Sequence, residues 1–120
     1  PGSSDYVQGG VVAYANSVKK SLLHVNTATL DDSGAVSAEV AEAMARGVLE
    51  ACSSDIGLAI TGIAGPDGGS ADKPVGLIWV AAAGRDGRVL LQRLDGDHSR
   101  EGNRARAVRV AIELAEKLAG

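Results

Sequence analysis

Along the chain, apolar residues switch between the two-residue period of strands and the 3.6-residue period of helices, and each switch marks an element. Gly9-Gly-Val-Val-Ala-Tyr-Ala15 reads as a short strand. Asn16 and Ser17 are natural N-caps, so a short helix is predicted over 18–25 with Leu22 and Leu23 turned inward. Residues 26–34 read as a polar connection. Ser37 caps a second helix, with Glu39 near its positive end, and Val40, Ala41, Met44, Ala45, Val48 and Leu49 recur on one face. Ser53-Ser54-Asp55 ends it. Strands are predicted over 56–61, 76–83 and 88–94, the last two joined by Gly84-Arg-Asp-Gly87, a hairpin signal. A final helix over 100–118 is expected to bury Ala105, Val108, Ile112, Ala115 and Leu118. The unbroken apolar run 56–60 implies a strand covered on both faces. Helices covering a mixed sheet make this an α/β domain.

Between two of these strands lies Thr61-Gly-Ile-Ala-Gly-Pro-Asp-Gly-Gly69, closed by Lys73-Pro-Val-Gly76. Five glycines and two prolines within 61–76 exceed what a hairpin shaped only by folding requires. Glycine serves where the backbone bends through positive φ or where a ligand approaches the main chain. The loop is therefore expected to form the rim of a functional site. It lacks the Gly-Lys-Ser/Thr ending of a P-loop. It also leads into a strand and its glycine spacing differs from the dinucleotide fingerprint. Backbone amides in such a loop can still hold phosphate.

Composition narrows the class. At 120 residues the chain is expected to be one domain, 1–120. Hydrophobic residues make up 45%, which excludes disorder. Aromatics make up only 2%, with no Phe, so the core must be built from Ala, Val, Leu and Ile. A net charge of −3, with no basic stripe between aromatics, argues against a nucleic-acid or membrane partner. No apolar run reaches membrane-spanning length. Cys52 stands alone, which rules out an internal disulfide and fits a reducing, cytoplasmic location. The chain opens on Pro1-Gly-Ser-Ser-Asp5, a polar loop without an initiating methionine, and is expected to be cut at its N-terminus.

Few side chains offer chemistry. Tyr14 and Lys19 straddle the junction between the first strand and helix, where a phenol and an amine could share one rim. A crowded lysine can act as a base toward a hydroxyl nucleophile. The plainer alternative is a packed tyrosine and a solvated lysine like Lys20. Arg100 and Arg104 lie four apart on the last helix and could clamp a phosphate, or form a solvated charged face. Asp67 either orients a substrate group or caps its own turn. His24 and His98 are isolated from Cys52 and from paired carboxylates, so no metal site is expected.

Several segments together resemble the C-terminal domain of the competence/damage-inducible CinA family, which also occurs alone as nicotinamide-nucleotide amidohydrolase. They are Gly9-Gly-Val-Val-Ala-Tyr-Ala-Asn-Ser-Val-Lys19 with Leu23 and Val25, Gly34-Ala-Val-Ser37, Met44-Ala45, the 61–69 loop and Lys73-Pro-Val-Gly76. The resemblance covers essentially the whole chain. It implies a three-layer α/β/α domain with a mixed sheet, lacking an N-terminal strand and helix here. It further implies a cytoplasmic homo-oligomer, needing no cofactor or metal, that hydrolyses the carboxamide of nicotinamide mononucleotide to nicotinate mononucleotide and ammonia.

Lys19 matches the family lysine, the base, and Tyr14 the tyrosine beside it. Thr61, Gly62, Gly65, Pro66, Asp67, Gly68 and Gly69 match the pocket wall. Arg100 and Arg104 match a pattern expected to face substrate phosphate. The family's nucleophilic serine lies in a Glu-Ser-Cys-Thr-Gly-Gly motif expected upstream of Pro1; Ser3 and Ser4 match the loop after it. Two other readings stand beside the enzyme. One is a non-catalytic module that binds a pyridine nucleotide. The other is a structural oligomerisation domain, which would leave the glycine loop, Tyr14 and Lys19 unexplained.

Overall fold

In the computed structural model, which describes residues 1–120, three strands form one sheet in the order β1-β2-β3. They are β1 (Ile56–Gly62), β2 (Ile78–Gly84) and β3 (Val89–Leu94). Four α-helices accompany them: α1 (Asn16–Leu23), α2 (Thr27–Ser33), α3 (Ala38–Ala51) and α4 (Ser99–Ala119). Both strand pairings are antiparallel, Ile56 facing Gly84 in the first and Ala83 facing Val89 in the second. The expected α/β/α layering is present, although these three strands contain no parallel pair of a mixed sheet.

β2 carries the core on both faces. Ala81 and Ala83 pack with Leu23, Val25, Leu30, Val40, Ala41, Met44, Ala45 and Leu49 under the first three helices. On the opposite face Ile78, Val80 and Ala82 pack with Ala107, Val110, Ala111, Leu114 and Leu118 of α4. Small side chains let helix backbones come close to the sheet. At Gly57 a Cβ would collide with the Ala45 carbonyl and crowd Leu49 of α3. At Gly47 a Cβ would collide with the Leu23 carbonyl at the end of α1.

Several sequence expectations are corrected. Residues 9–15 form no strand, because an extended segment needs a neighbouring ladder and finds none among these residues. The polar connection 26–34 contains α2; Asn26 Oδ1 accepts from Ala28 N at 2.8 Å, and Leu30 is buried. Asn16 begins α1 rather than capping it, the cap position falling to Ala15. Leu22 points out to solvent while Leu23 is buried. β2 starts at Ile78 because Gly76 and Leu77 complete the preceding turn.

Two corrections concern which face is buried. β1 is an edge strand and α4 lies mainly over β2, so Leu58 and Ile60 stay 36% and 40% exposed instead of covered on both faces. α4 buries Asn103, Ala107, Val110, Ala111, Leu114 and Leu118; Ala105, Val108 and Ile112 face solvent and Ala115 is half-buried. Apolar residues occupy both stripes of this helix, so periodicity alone could not choose between them. The cap at Ser37 is as expected, its Oγ accepting from Val40 N at 3.2 Å.

The β2–β3 hairpin is closed by Asp86. Its carboxylate accepts from Arg88 N at 3.0 Å and from Arg88 Nε at 2.7 Å. The backbone N–H of Arg88, and then its guanidinium, hold the Asp86 carboxyl below the usual 3.8. A depressed carboxyl stabilises the fold fully above its ordinary value and loses that contribution as pH falls through the folded one.

Two outcomes are expected. An NMR titration of the Asp86 carboxyl has its midpoint below 3.8, and Arg88→Ala moves it upward. Gly47→Ala gains helix propensity of about 1 kcal/mol but costs about 1–3 kcal/mol in overpacking against α1, so urea unfolding shows a net loss.

Candidate functional site

The glycine-rich loop leaves β1 at Gly62 and returns to β2 at Ile78. Two backbone bonds close its base: Ile63 N donates to Leu77 O at 2.9 Å, and Gly76 N to Ile63 O at 2.8 Å. Gly76 sits at φ 94°, and a Cβ there would collide with the Gly96 carbonyl, so only glycine fits. Near the tip, Ser70 N donates to Lys73 O at 2.8 Å and Ser70 Oγ accepts from Lys73 N at 3.1 Å.

Side chains fasten the loop from two sides. Toward the α2–α3 connection, buried Thr61 donates through Oγ1 to Ala35 O at 2.7 Å, and Lys73 Nζ donates to Ser33 O at 2.6 Å. Toward α4, Arg100 NH1 donates to Gly65 O at 2.9 Å and Asn103 Nδ2 to Ala64 O at 2.9 Å. These contacts span 26 to 40 residues of sequence. The loop's shape is therefore set by tertiary contacts, not by its own turn chemistry.

Lys19 occupies a different place. It is 6% exposed, and it is the one charged side chain among the 29 buried residues. Its Nζ donates to Ala13 O at 3.2 Å. The end of α1 turns through His24, at φ 55°, with Val25 N donating back to Lys19 O at 3.0 Å. Tyr14, by contrast, is 88% exposed. Lys19 thus bonds the carbonyl next to Tyr14 rather than the phenol itself. Lys20 is exposed, so burial sets Lys19 apart from its neighbour.

Of the residues singled out from sequence, Thr61, Gly62, Gly65, Pro66, Asp67, Gly68, Gly69 and Arg100 come together in and against the loop. Arg100 spends one donor on the loop backbone. Arg104 and Asp67 are exposed. Lys19 and Tyr14 belong to α1 and the segment before it, and no hydrogen bond joins them to the loop. No three His, Cys, Asp or Glu side chains converge as metal ligands would. No helix is long and apolar enough to cross a membrane.

Two participants went unrecognised in the sequence. Lys73 ties the loop to Ser33, and nothing in its local spacing announces that. Asn103 is 1% exposed. Its signal was present: Asn103, Ala107, Val110 and Leu114 follow the helical period on one stripe, a polar residue among apolar ones.

A family model described as CinA C-terminal domain matches residues 1–119. Nicotinamide-nucleotide amidohydrolase PncC of Enterobacter agglomerans is 46% identical over 114 residues, which is 95% of this chain and 70% of that protein. A putative competence-damage inducible protein of Halothermothrix orenii is 52% identical over 87% of this chain, which spans only 25% of that longer protein. Among solved structures, the competence/damage inducible protein CihA from Agrobacterium tumefaciens superposes with a TM-score of 0.88 at 44% identity, over 91% of this chain and 67% of that one.

Proposed function

The chain belongs to the CinA C-terminal domain family, and from that premise we propose that it forms part of an amidohydrolase releasing ammonia from nicotinamide mononucleotide. The observation that carries the reading is Lys19, buried with the Ala13 carbonyl as its hydrogen-bond partner and no carboxylate in salt-bridge reach. Burying a cation without a counter-charge is costly, so such a lysine is seldom kept for stability alone. A compact amine on a flexible stem, removed from bulk water, suits proton transfer. The 46% identity to an amidohydrolase across 95% of this chain supports the same chemistry.

In the proposed mechanism Lys19 takes the proton of a serine hydroxyl supplied from outside these 120 residues. The serine oxygen attacks the carboxamide carbon, forming a C–O bond. Collapse of the tetrahedral adduct breaks the C–N bond, and ammonia leaves with the proton returned by Lys19. Water, deprotonated by the same amine, then cleaves the acyl-enzyme to nicotinate mononucleotide and free serine. The loop 61–69 forms the pocket wall, and Arg100 and Arg104 face the phosphate. Tyr14 orients the substrate or the Lys19 amine from the rim. A domain that binds the nucleotide without hydrolysing it would share the pocket and is separated by turnover alone.

The full-length protein carrying this chain should release ammonia from nicotinamide mononucleotide. Lys19→Met should lower kcat on the order of a thousandfold or more while leaving the thermal midpoint close to wild type. Undiminished turnover in the variant would remove Lys19 from the chemistry. Nucleotide binding with no ammonia from wild type would favour the binding module.

A further inference from the structure

The geometry points to the backbone N–H of Gly65 as a ligand-binding donor, aimed by Asn103 acting as its positioning residue. Asn103 uses three of its four hydrogen-bonding capacities: Nδ2 donates to Ala64 O at 2.9 Å and to Asp97 Oδ1 at 3.0 Å, and Oδ1 accepts from His98 N at 2.8 Å. Asp97 is itself fixed by Ser99 N at 3.0 Å. The carboxamide is thereby locked in one orientation, with its amino side against the loop. Three successive loop carbonyls are then occupied: Ile63 O by Gly76 N, Ala64 O by Asn103, and Gly65 O by Arg100.

A trans peptide is planar, with its N–H directed opposite to its carbonyl. The Ala64–Gly65 peptide is trans, since Gly65–Pro66 is the one cis bond. Holding Ala64 O toward α4 therefore turns the Gly65 N–H away from α4. Gly65 is buried, yet its N–H donates to nothing within the chain. Buried backbone donors are almost always paired, and one left free beside a fastened loop is a place for an acceptor oxygen. Any side chain here would be strained, because Gly65 sits at φ 81° and a Cβ would lie 2.6 Å from Val75 Cγ1. The next residue, Pro66, has no N–H to offer.

The inference rests on the glycine loop being the pocket wall proposed above, and it names a donor for that pocket. The ligand atom is an acceptor oxygen, either the carbonyl of a carboxamide or an anionic phosphate oxygen. The test follows the Gly65 amide resonance of the full-length protein as nicotinamide, inorganic phosphate and nicotinamide mononucleotide are added separately. A downfield shift with nicotinamide assigns the carbonyl, and one with phosphate assigns the anion. A Gly65 resonance unmoved by all three probes overturns the donor.

Asn103→Asp keeps the acceptor for His98 N but sets a carboxylate against Ala64 O and Asp97. Near neutral pH it should mobilise the peptide, dropping the Gly65 order parameter from about 0.85 to below about 0.6. It should also raise KM for the nucleotide on the order of tenfold. Acidification protonates the new carboxyl, which then donates to Ala64 O as the amide did. Order and KM should therefore recover as pH is lowered through the titration of the new carboxyl. A merely structural loss would not recover. An order parameter unchanged in Asn103→Asp overturns the positioning role.

The wild-type shifts do not depend on the variant folding. Ammonia release with a silent Gly65 resonance defeats this inference and spares the amidohydrolase. A shifted resonance without ammonia does the reverse.

Discussion

The close approach of α3 to the sheet and to α1 is the contact on which the rest of the structure depends. It is possible only because two positions carry no side chain, Gly57 beneath the Ala45 carbonyl and Gly47 beneath the Leu23 carbonyl. Alanines at 81, 82 and 83 extend the same economy along β2, leaving both helical layers near the strand backbones. Interiors packed this tightly tolerate neither voids nor added methyl groups. A core nearly free of aromatics gains its cohesion from proximity rather than from bulk.

Proximity also places Lys19. Where Leu23 meets Gly47, the end of α1 is fixed, and Val25 and His24 fold back onto the Lys19 carbonyl. The first helix is only eight residues long and would be marginal alone. Docked against α3, it carries Lys19 below the surface, where its Nζ donates to Ala13 O. The buried amine is a consequence of helix packing one turn away.

The glycine loop is governed by a different set of constraints. Its own residues favour bending, with positive φ at Gly65, Gly68, Gly69 and Gly76, but they do not select one path. Selection comes from Thr61 and Lys73 on one side and Arg100 and Asn103 on the other, each bonded to a backbone carbonyl. Ordering a flexible segment costs conformational entropy of roughly 1–2 kcal/mol per residue, which four such bonds help to offset.

Sequence alone determined the elements with strong local signals. Ser37 and the apolar face behind it gave α3, Gly84 to Gly87 gave the hairpin, and the loop's glycines and prolines announced a special backbone. These depend on interactions within a few residues, which a linear reading contains. The tertiary structure alone decided which stripe of α4 faces inward, that Lys19 bonds Ala13 O while Tyr14 stays exposed, and that Asn103 fastens Ala64. It also left residues 9–15 without a ladder and β1 at an edge. Each of these depends on partners distant in sequence, and a residue's own type and spacing carry no record of which surface will arrive to meet it.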